Sequence, residues 1–78
     1  MKNYRRIKQL RNQSGKTQGQ VADDLKMQRE VYRRYETGER DIPLSVAIAI
    51  ADLFDVSLDY IADRSDDKTV QRKEYKSD

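Results

Sequence analysis

The segment from residue 28 to residue 34 is rich in side chains that form hydrogen bonds with the edges of nucleic-acid bases. It carries one glutamine, one glutamate and three arginines: Gln28, Arg29, Glu30, Arg33 and Arg34. Arginine can bind guanine through two hydrogen bonds, glutamine can bind adenine in the same way, and glutamate can accept a hydrogen bond from cytosine. Each good pair discriminates between bases by about 1–3 kcal/mol, so the segment has the chemistry to read a DNA sequence.

The chain lacks the residues on which most enzymes and metal sites depend. It has no cysteine and no histidine, which removes the thiol nucleophile, the commonest general base and the commonest metal ligand. The adjacent pairs Asp23-Asp24 and Asp66-Asp67 do not converge on one substrate, because neighbouring side chains diverge in a helix or a strand. We therefore expect no catalytic activity, no metal and no cofactor.

Charge is divided unevenly along the chain. Residues 1–40 hold 11 Lys and Arg against 5 Asp and Glu, a net charge of +6, whereas residues 41–78 hold 5 against 9, a net charge of −4. A basic half attracts polyanions such as DNA, although ordinary solvated surfaces also show such asymmetry.

The length of 78 residues is enough for one small domain. We predict a domain over 1–62 and a charged, flexible tail over 63–78, whose only apolar residues are Val70 and Tyr75. The longest apolar run has six residues, whereas a membrane helix needs about 20. The sequence therefore predicts a soluble, cytoplasmic protein that makes no contact with a membrane.

Three short helices are predicted in the basic half. Apolar residues recur at helical spacing over about 4–14, 18–25 and 29–37. Asn3 and Thr17 are suitable N-terminal caps for the first two helices, because their side-chain oxygens can accept hydrogen bonds from the first helical turn.

Two more helices are predicted in the acidic half. Pro43 suits the start of a helix over about 44–54, which is apolar on most sides and is expected to be the most buried element. A strand is rejected there because alanines favour helix and no partner strand exists. Ser57 can cap a fifth helix in which Leu58 and Ile61 face inward. The predicted fold is all-α, with five helices.

The second and third helices are separated by only three residues, and the third is polar and arginine-rich on its outer face. This arrangement is typical of a helix-turn-helix, which places its second helix in the major groove of DNA. An ordinary helical hairpin has the same spacing, so the spacing alone leaves both interpretations open.

From Ile7 to Ile61 the chain resembles the lambda repressor-like family of helix-turn-helix domains, the Cro and phage-repressor or XRE type. The matching segments are, in order, Ile7-Lys8-Gln9-Leu10-Arg11, Thr17-Gln18, Val21-Ala22, Leu25, Arg34-Tyr35-Glu36-Thr37-Gly38-Glu39-Arg40, Pro43 and Val56-Ser57-Leu58-Asp59-Tyr60-Ile61. The resemblance implies a compact five-helix domain that binds double-stranded DNA, usually as a homodimer on a two-fold symmetric operator. It also implies a bacterial or phage-type regulator of transcription, associated with the nucleoid when bound.

The resemblance assigns roles to particular residues. It implies base readout by the outward residues of the third helix, which are Gln28, Arg29, Glu30, Arg33 and Arg34. It implies phosphate contacts from Gln18 and Arg40, and an ion pair between Arg11 and Glu36 that orients the first and third helices. Ala22 would lie where the second and third helices approach most closely.

Some of these roles stay open. Arg33 and Arg34 can act as phosphate clamps instead of base readers, because most protein–DNA hydrogen bonds go to the backbone. Val31 could meet a thymine methyl group or could simply be a partly exposed residue.

The turn and the third helix depart from the family pattern at three positions. Lys26 stands where the family usually has a glycine, so either the backbone is less left-handed there or the lysine accepts strain. Gln28 replaces the usual serine or threonine cap. Tyr32 replaces an isoleucine or valine, and its hydroxyl group needs a partner.

The sequence thus predicts a transcriptional regulator, a repressor in particular, with a dimer surface around residues 58–62 and the tail. The alternative is a protein-interaction module, such as an antitoxin or antirepressor, in which helices four and five or the tail bind a protein partner. DNA binding would then be secondary.

Overall fold

Five α-helices follow one another in the computed structural model, which describes residues 4–64, 68 and 69. The helices are α1 (Tyr4–Gln13), α2 (Gln18–Asp24), α3 (Arg29–Thr37), α4 (Leu44–Phe54) and α5 (Leu58–Ile61). This part of the chain contains no strand, and the predicted all-α fold is confirmed. The predicted cap Asn3 and most of the predicted tail lie outside the described residues.

The core draws on every helix. Its buried side chains are Ile7, Leu10, Val21, Ala22, Tyr32, Tyr35, Ile42, Ala47, Ile50, Ala51, Val56 and Ile61. Each helix is amphipathic or short, so none can bury its apolar side without the others. No helix in the described part is long and apolar enough to cross a membrane.

Helix α4 is less buried than its composition predicts. Ala47, Ile50 and Ala51 lie in the core, but Leu44 and Ile48 are 61% and 44% exposed. These two residues are four positions apart and therefore share one face of the helix. In so small a domain the other helices cover only part of α4, and an apolar strip is left on the surface.

Two helix starts are capped as the sequence predicts. The Thr17 hydroxyl accepts a hydrogen bond from the Gln20 amide at 3.1 Å, and the Gln20 side chain accepts one from the Thr17 amide at 2.9 Å. This reciprocal pair is a capping box and fixes the start of α2. At α5 the Ser57 hydroxyl accepts a hydrogen bond from the Tyr60 amide at 2.9 Å.

Several helices end in the same hydrogen-bonded turn, with one residue at positive φ. After α2, the Lys26 amide donates to the Asp23 carbonyl at 3.0 Å and the Met27 amide donates to the Ala22 carbonyl at 2.9 Å. This pair of bonds is the Schellman motif, which usually has glycine at the residue with positive φ. Gly15 follows the rule with φ 74°, whereas Lys26 has φ 59°.

Helix α1 is attached to the end of α5 through one arginine. The guanidinium of Arg6 stacks on the ring of Tyr60 at 4.2 Å, donates to the Tyr60 carbonyl at 2.9 Å and pairs with Asp63 at 3.0 Å. Lys68 also returns to this region, since its carbonyl accepts a hydrogen bond from the Ser57 amide at 3.0 Å. Residues 63 and 68, which the sequence places in the tail, therefore contact the helical domain.

Candidate nucleic-acid interface

Helices α2 and α3 pack directly on each other and form the predicted helix-turn-helix. Ala22 is only 1% exposed, and Val21 and Tyr32 are completely buried. A larger side chain at position 22 would overpack the core there. The hairpin leaves the opposite side of α3 in solvent.

The carboxylate of Glu36 links α3 to both preceding helices. It accepts two hydrogen bonds from Arg11 of α1, from Nε at 2.6 Å and from Nη2 at 3.1 Å. It also accepts one from the Gln18 amide of α2 at 3.0 Å and one from the Tyr32 hydroxyl at 2.7 Å. Arg11 and Glu36 therefore form an ion pair between α1 and α3. The partner that the Tyr32 hydroxyl needs is the same carboxylate.

This cluster is largely shielded from water. The side chain of Glu36 is 2% exposed and that of Arg11 is 12% exposed. Burial alone would raise the pKa of Glu36, but the hydrogen bonds from Arg11, Tyr32 and Gln18 outweigh it and hold the pKa below its ordinary value. Burial and the neighbouring carboxylate both raise the pKa of Tyr32, so its hydroxyl stays protonated and continues to donate.

The outer side of α3 carries the residues that the sequence assigns to base readout. Gln28, Arg29, Glu30 and Arg34 are exposed, and Arg33 is half-buried. Val31, which the sequence also places on this side, is half-buried and packs against the core. Gln28 precedes α3 as its N-cap but makes no side-chain capping hydrogen bond. Its side-chain amide is therefore not occupied by the backbone of the helix. A Cβ atom placed on Gly19 of α2 would lie 3.8 Å from Cδ of Arg29, which puts this arginine beside the start of α2.

Three of the assigned residues are tied together by ion pairs. Glu30 lies 2.7 Å from Nη2 of Arg33 and 3.4 Å from Nε of Arg34. Nη1 of Arg33 also donates to Glu39 at 3.0 Å. The hydrogen bonds from Arg33 lower the pKa of Glu30 to about 2, so Glu30 is ionised at neutral pH.

The two residues assigned to phosphate contacts, Gln18 and Arg40, both make hydrogen bonds with α3. Gln18 is half-buried and uses one amide N–H for Glu36, which leaves a second N–H and the carbonyl oxygen for other partners. Arg40 is exposed, and its backbone amide donates to the Arg34 carbonyl at 3.3 Å. Arg29 and Arg40 form no ion pair with any residue that the structure describes.

One residue of this surface has no role in the sequence interpretation. Glu39 lies after the end of α3, six positions beyond Arg33, so no helical spacing rule pairs the two. Its position depends on the turn at Gly38, which has φ 85°.

Among the described residues no cluster of acidic side chains is suited to hold a metal ion.

The chain matches the helix-turn-helix family model over residues 7–61. It is 36% identical over 70 residues to YqaE and 36% identical over 73 residues to YobD, two proteins of Bacillus subtilis (strain 168) named as uncharacterized HTH-type transcriptional regulators. The alignments include 90% and 91% of this chain but only 60% and 65% of the relatives, so the chain spans less than two thirds of their length. No solved structure matches it significantly.

The family match and the geometry agree, and the chain belongs to the XRE-type helix-turn-helix family. The segment matched by the family model begins at Ile7 and ends at Ile61, the first and last fully buried side chains of the core. The resemblance that the sequence motifs indicate is therefore confirmed.

The buried carboxylate predicts a pH-dependent stability. Glu36→Gln leaves Arg11 shielded from water without a carboxylate, and we expect the free energy of unfolding to fall by about 3 kcal/mol at neutral pH. The pKa of Glu36 is depressed in the folded state, so its contribution is present above its ordinary value of 4.5 and is lost as the pH falls through the folded pKa. The difference between wild type and variant should therefore shrink in acid.

Urea unfolding between about pH 3 and pH 7, followed by circular dichroism, measures this difference. Asp52→Asn is the control, because Asp52 is exposed on α4 and its loss should cost less than about 0.5 kcal/mol. A difference between wild type and Glu36→Gln that stays constant over the whole pH range would contradict the assignment.

The turn between α2 and α3 predicts a substitution that stabilises the protein. Lys26 has φ 59°, which costs a residue with a Cβ atom about 1–2 kcal/mol. Glycine removes this strain but gains entropy in the unfolded chain, so we expect Lys26→Gly to stabilise by a net of about 0.5–1 kcal/mol. Lys8→Gly, in the middle of α1, should instead destabilise by about 1 kcal/mol. Thermal unfolding of both variants tests the opposite signs; a lower melting temperature for Lys26→Gly would count against strain at this turn.

Proposed function

We propose that this chain is a sequence-specific DNA-binding regulator of transcription that inserts α3 into the major groove. The observation that carries the proposal is the combination of a locked inner side of α3 and a polar outer side. Glu36 fixes the helix through hydrogen bonds from α1 and α2, while the N-cap Gln28 and the first-turn residues Arg29 and Glu30 stay exposed. A recognition helix needs both properties, because base contacts require a fixed register.

The chemistry of the exposed side chains supports a division of contacts. Arg29 has no ion pair among the described residues. Its guanidinium can therefore donate two hydrogen bonds to O6 and N7 of a guanine. Gln28 can bind an adenine, and Glu30 can accept from a cytosine. Gln18, Arg34 and Arg40 would hold phosphates and set the register of the helix.

We further propose that the protein acts as a repressor in the form of a homodimer on a two-fold symmetric operator. Two recognition helices about 34 Å apart would then enter successive major grooves. Of the residues expected at the dimer surface, Ile61 is completely buried, and Leu58 and Ala62 are half-buried. Repression by binding an operator that overlaps a promoter needs no catalysis, no cofactor and no membrane. A protein that acts on DNA in this way would work in the cytoplasm.

The experiment that tests this proposal is selection of bound duplexes from a random-sequence DNA library near physiological salt. We expect an inverted repeat whose half-site centres are about one helical turn apart. Enrichment of a single unrepeated site would contradict the homodimer but not sequence recognition. Salt-sensitive binding to all duplexes without enrichment would contradict sequence recognition itself.

Two arginines of α3 should respond differently to truncation. Arg29→Ala should relax the preference at one base step at a cost of about 1–3 kcal/mol, because it removes a base contact. Arg34→Ala should weaken binding to all sequences and lower the slope of log K against log salt by about one, because it removes a phosphate contact.

Fluorescence anisotropy with the selected operator, with operators changed at single positions and with a scrambled duplex measures both effects. Lys8→Ala is the control, since Lys8 is exposed on α1 and its loss changes the net charge equally. If both α3 variants behave like this control, α3 is not the DNA-contacting helix.

A protein-interaction module is the second candidate function. The apolar strip of Leu44 and Ile48 favours it, because exposed apolar side chains on one helix face are a common feature of contact surfaces. Hydrogen exchange at residues 63–78 distinguishes the candidates. Protection that arises only with a cognate protein supports the module, whereas protection that no neighbouring gene product changes counts against it.

A further inference from the structure

The outer side of α3 is less basic than its three arginines suggest. Arg33 donates from Nε and Nη2 to the two carboxylate oxygens of Glu30, at 3.1 and 2.7 Å, and from Nη1 to Glu39 at 3.0 Å. Three of the five N–H groups of its guanidinium are therefore in use, and two carboxylates surround one cation. Arg34 shares the carboxylate of Glu30 at 3.4 Å.

Glu39 is itself held in place from the end of α3. Its carboxylate lies 3.2 Å from the hydroxyl of Thr37, and the same oxygen accepts the hydrogen bond from Arg33. The hydrogen bond from Arg33, followed by that from Thr37, lowers the pKa of Glu39, so the carboxylate is charged at neutral pH. The two glutamates, Glu30 and Glu39, thus lie on two sides of Arg33 and form a negative frame around it.

This frame sets Arg33 apart from the other arginines of the surface. Arg29 and Arg40 have no ion pair among the described residues, so they can bind phosphate without losing a partner. Arg33 can offer a phosphate only its two unused N–H groups, because the carboxylates of Glu30 and Glu39 hold the other three. A phosphate alone therefore gains little from Arg33.

We propose that Glu39 is a specificity-determining residue that acts by positioning Arg33, so that this arginine is withheld from general phosphate binding and contributes mainly at the cognate site. The inference rests on the proposed DNA binding and goes beyond it. At a cognate site Glu30 can accept a hydrogen bond from a base, and the two free Nη–H groups of Arg33 can donate to an acceptor on the DNA. Glu39 keeps the guanidinium in the orientation that this contact needs. On other sequences the same restraint only keeps the guanidinium of Arg33 from turning toward a phosphate.

Because the frame is exposed to solvent, it weakens the binding of Arg33 to phosphate but does not abolish it. The side chains of Arg33, Glu30 and Glu39 are 36%, 56% and 51% exposed. Ion pairs in such positions are screened by salt and can rearrange when a polyanion approaches. Glu39 therefore lowers the affinity for non-cognate DNA without preventing DNA from reaching α3.

The test compares Glu39→Gln with Asp52→Asn, which changes the net charge equally on exposed α4. We expect Glu39→Gln to bind a scrambled duplex about three- to tenfold more tightly than wild type at low salt, with a salt slope steeper by up to about one. Affinity for the selected operator should change by less than about twofold, so the ratio of the two affinities falls. Fluorescence anisotropy over a salt series measures both duplexes.

A double-mutant cycle with Arg33→Gln shows whether Glu39 acts through Arg33. In the Arg33→Gln background, Glu39→Gln should have no more effect than Asp52→Asn. If its full effect persists there, Glu39 repels DNA directly and the positioning role is overturned. Equal tightening on both duplexes, or an effect no larger than that of Asp52→Asn, also overturns it.

A measurement without DNA separates this inference from the proposed function. Guanidinium NMR signals report rotation about the Nε–Cζ bond of Arg33, which the frame should slow and Glu39→Gln should accelerate. Unchanged rotation overturns the restraint whatever the protein binds. A wild-type protein that does not distinguish the duplexes but shows the restrained rotation contradicts sequence-specific binding, not the geometry of the frame.

Discussion

The buried carboxylate of Glu36 is the charge on which the rest of this small domain depends. It receives hydrogen bonds from α1, from α2 and from within α3, and it is 2% exposed. A carboxylate removed from water in this way is tolerated only while its partners remain in position. Because those partners come from three helices, any rotation of α3 would leave the carboxylate with an unsatisfied oxygen. The cluster therefore fixes the angle at which α3 faces solvent.

The same helix separates two kinds of polar contact on its two sides. On the inner side Arg11 and Glu36 meet where water is excluded, and the geometry is held tightly. On the outer side Glu30, Arg33 and Glu39 meet in solvent, where each contact is weak enough to be exchanged. A surface that binds another polyelectrolyte needs this difference, because the helix has to stay in place while its outer contacts change partners.

The sequence predicts the helices closely because the signals for their ends are local. Thr17 with Gln20 and Ser57 with Tyr60 are capping pairs three residues apart, and both can be read along the chain. The role of Arg11 and Glu36 came from family resemblance, since 25 positions separate them and no spacing rule joins them. The Arg6 contact with Tyr60 spans 54 positions and gives no sequence signal. The exposed strip on α4 was also missed, because composition shows how apolar a helix is but not how much of it the other helices cover.

The charge balance of the outer side of α3 bears on why two copies would be needed. The charges of Glu30 and Glu39 offset those of Arg33 and Arg34. The outer side of α3 therefore carries groups that can hydrogen-bond to bases but has little net charge. Affinity for DNA comes largely from phosphate contacts and the counterions they release, and the phosphate contacts proposed for one copy are only those of Gln18, Arg34 and Arg40. A single domain with this surface would therefore discriminate between bases but bind weakly. Two copies on a symmetric site would double the phosphate contacts and multiply the discrimination, because the second domain binds at a high effective concentration. The acidic frame that lowers affinity for other DNA is then compatible with stable binding at a paired site.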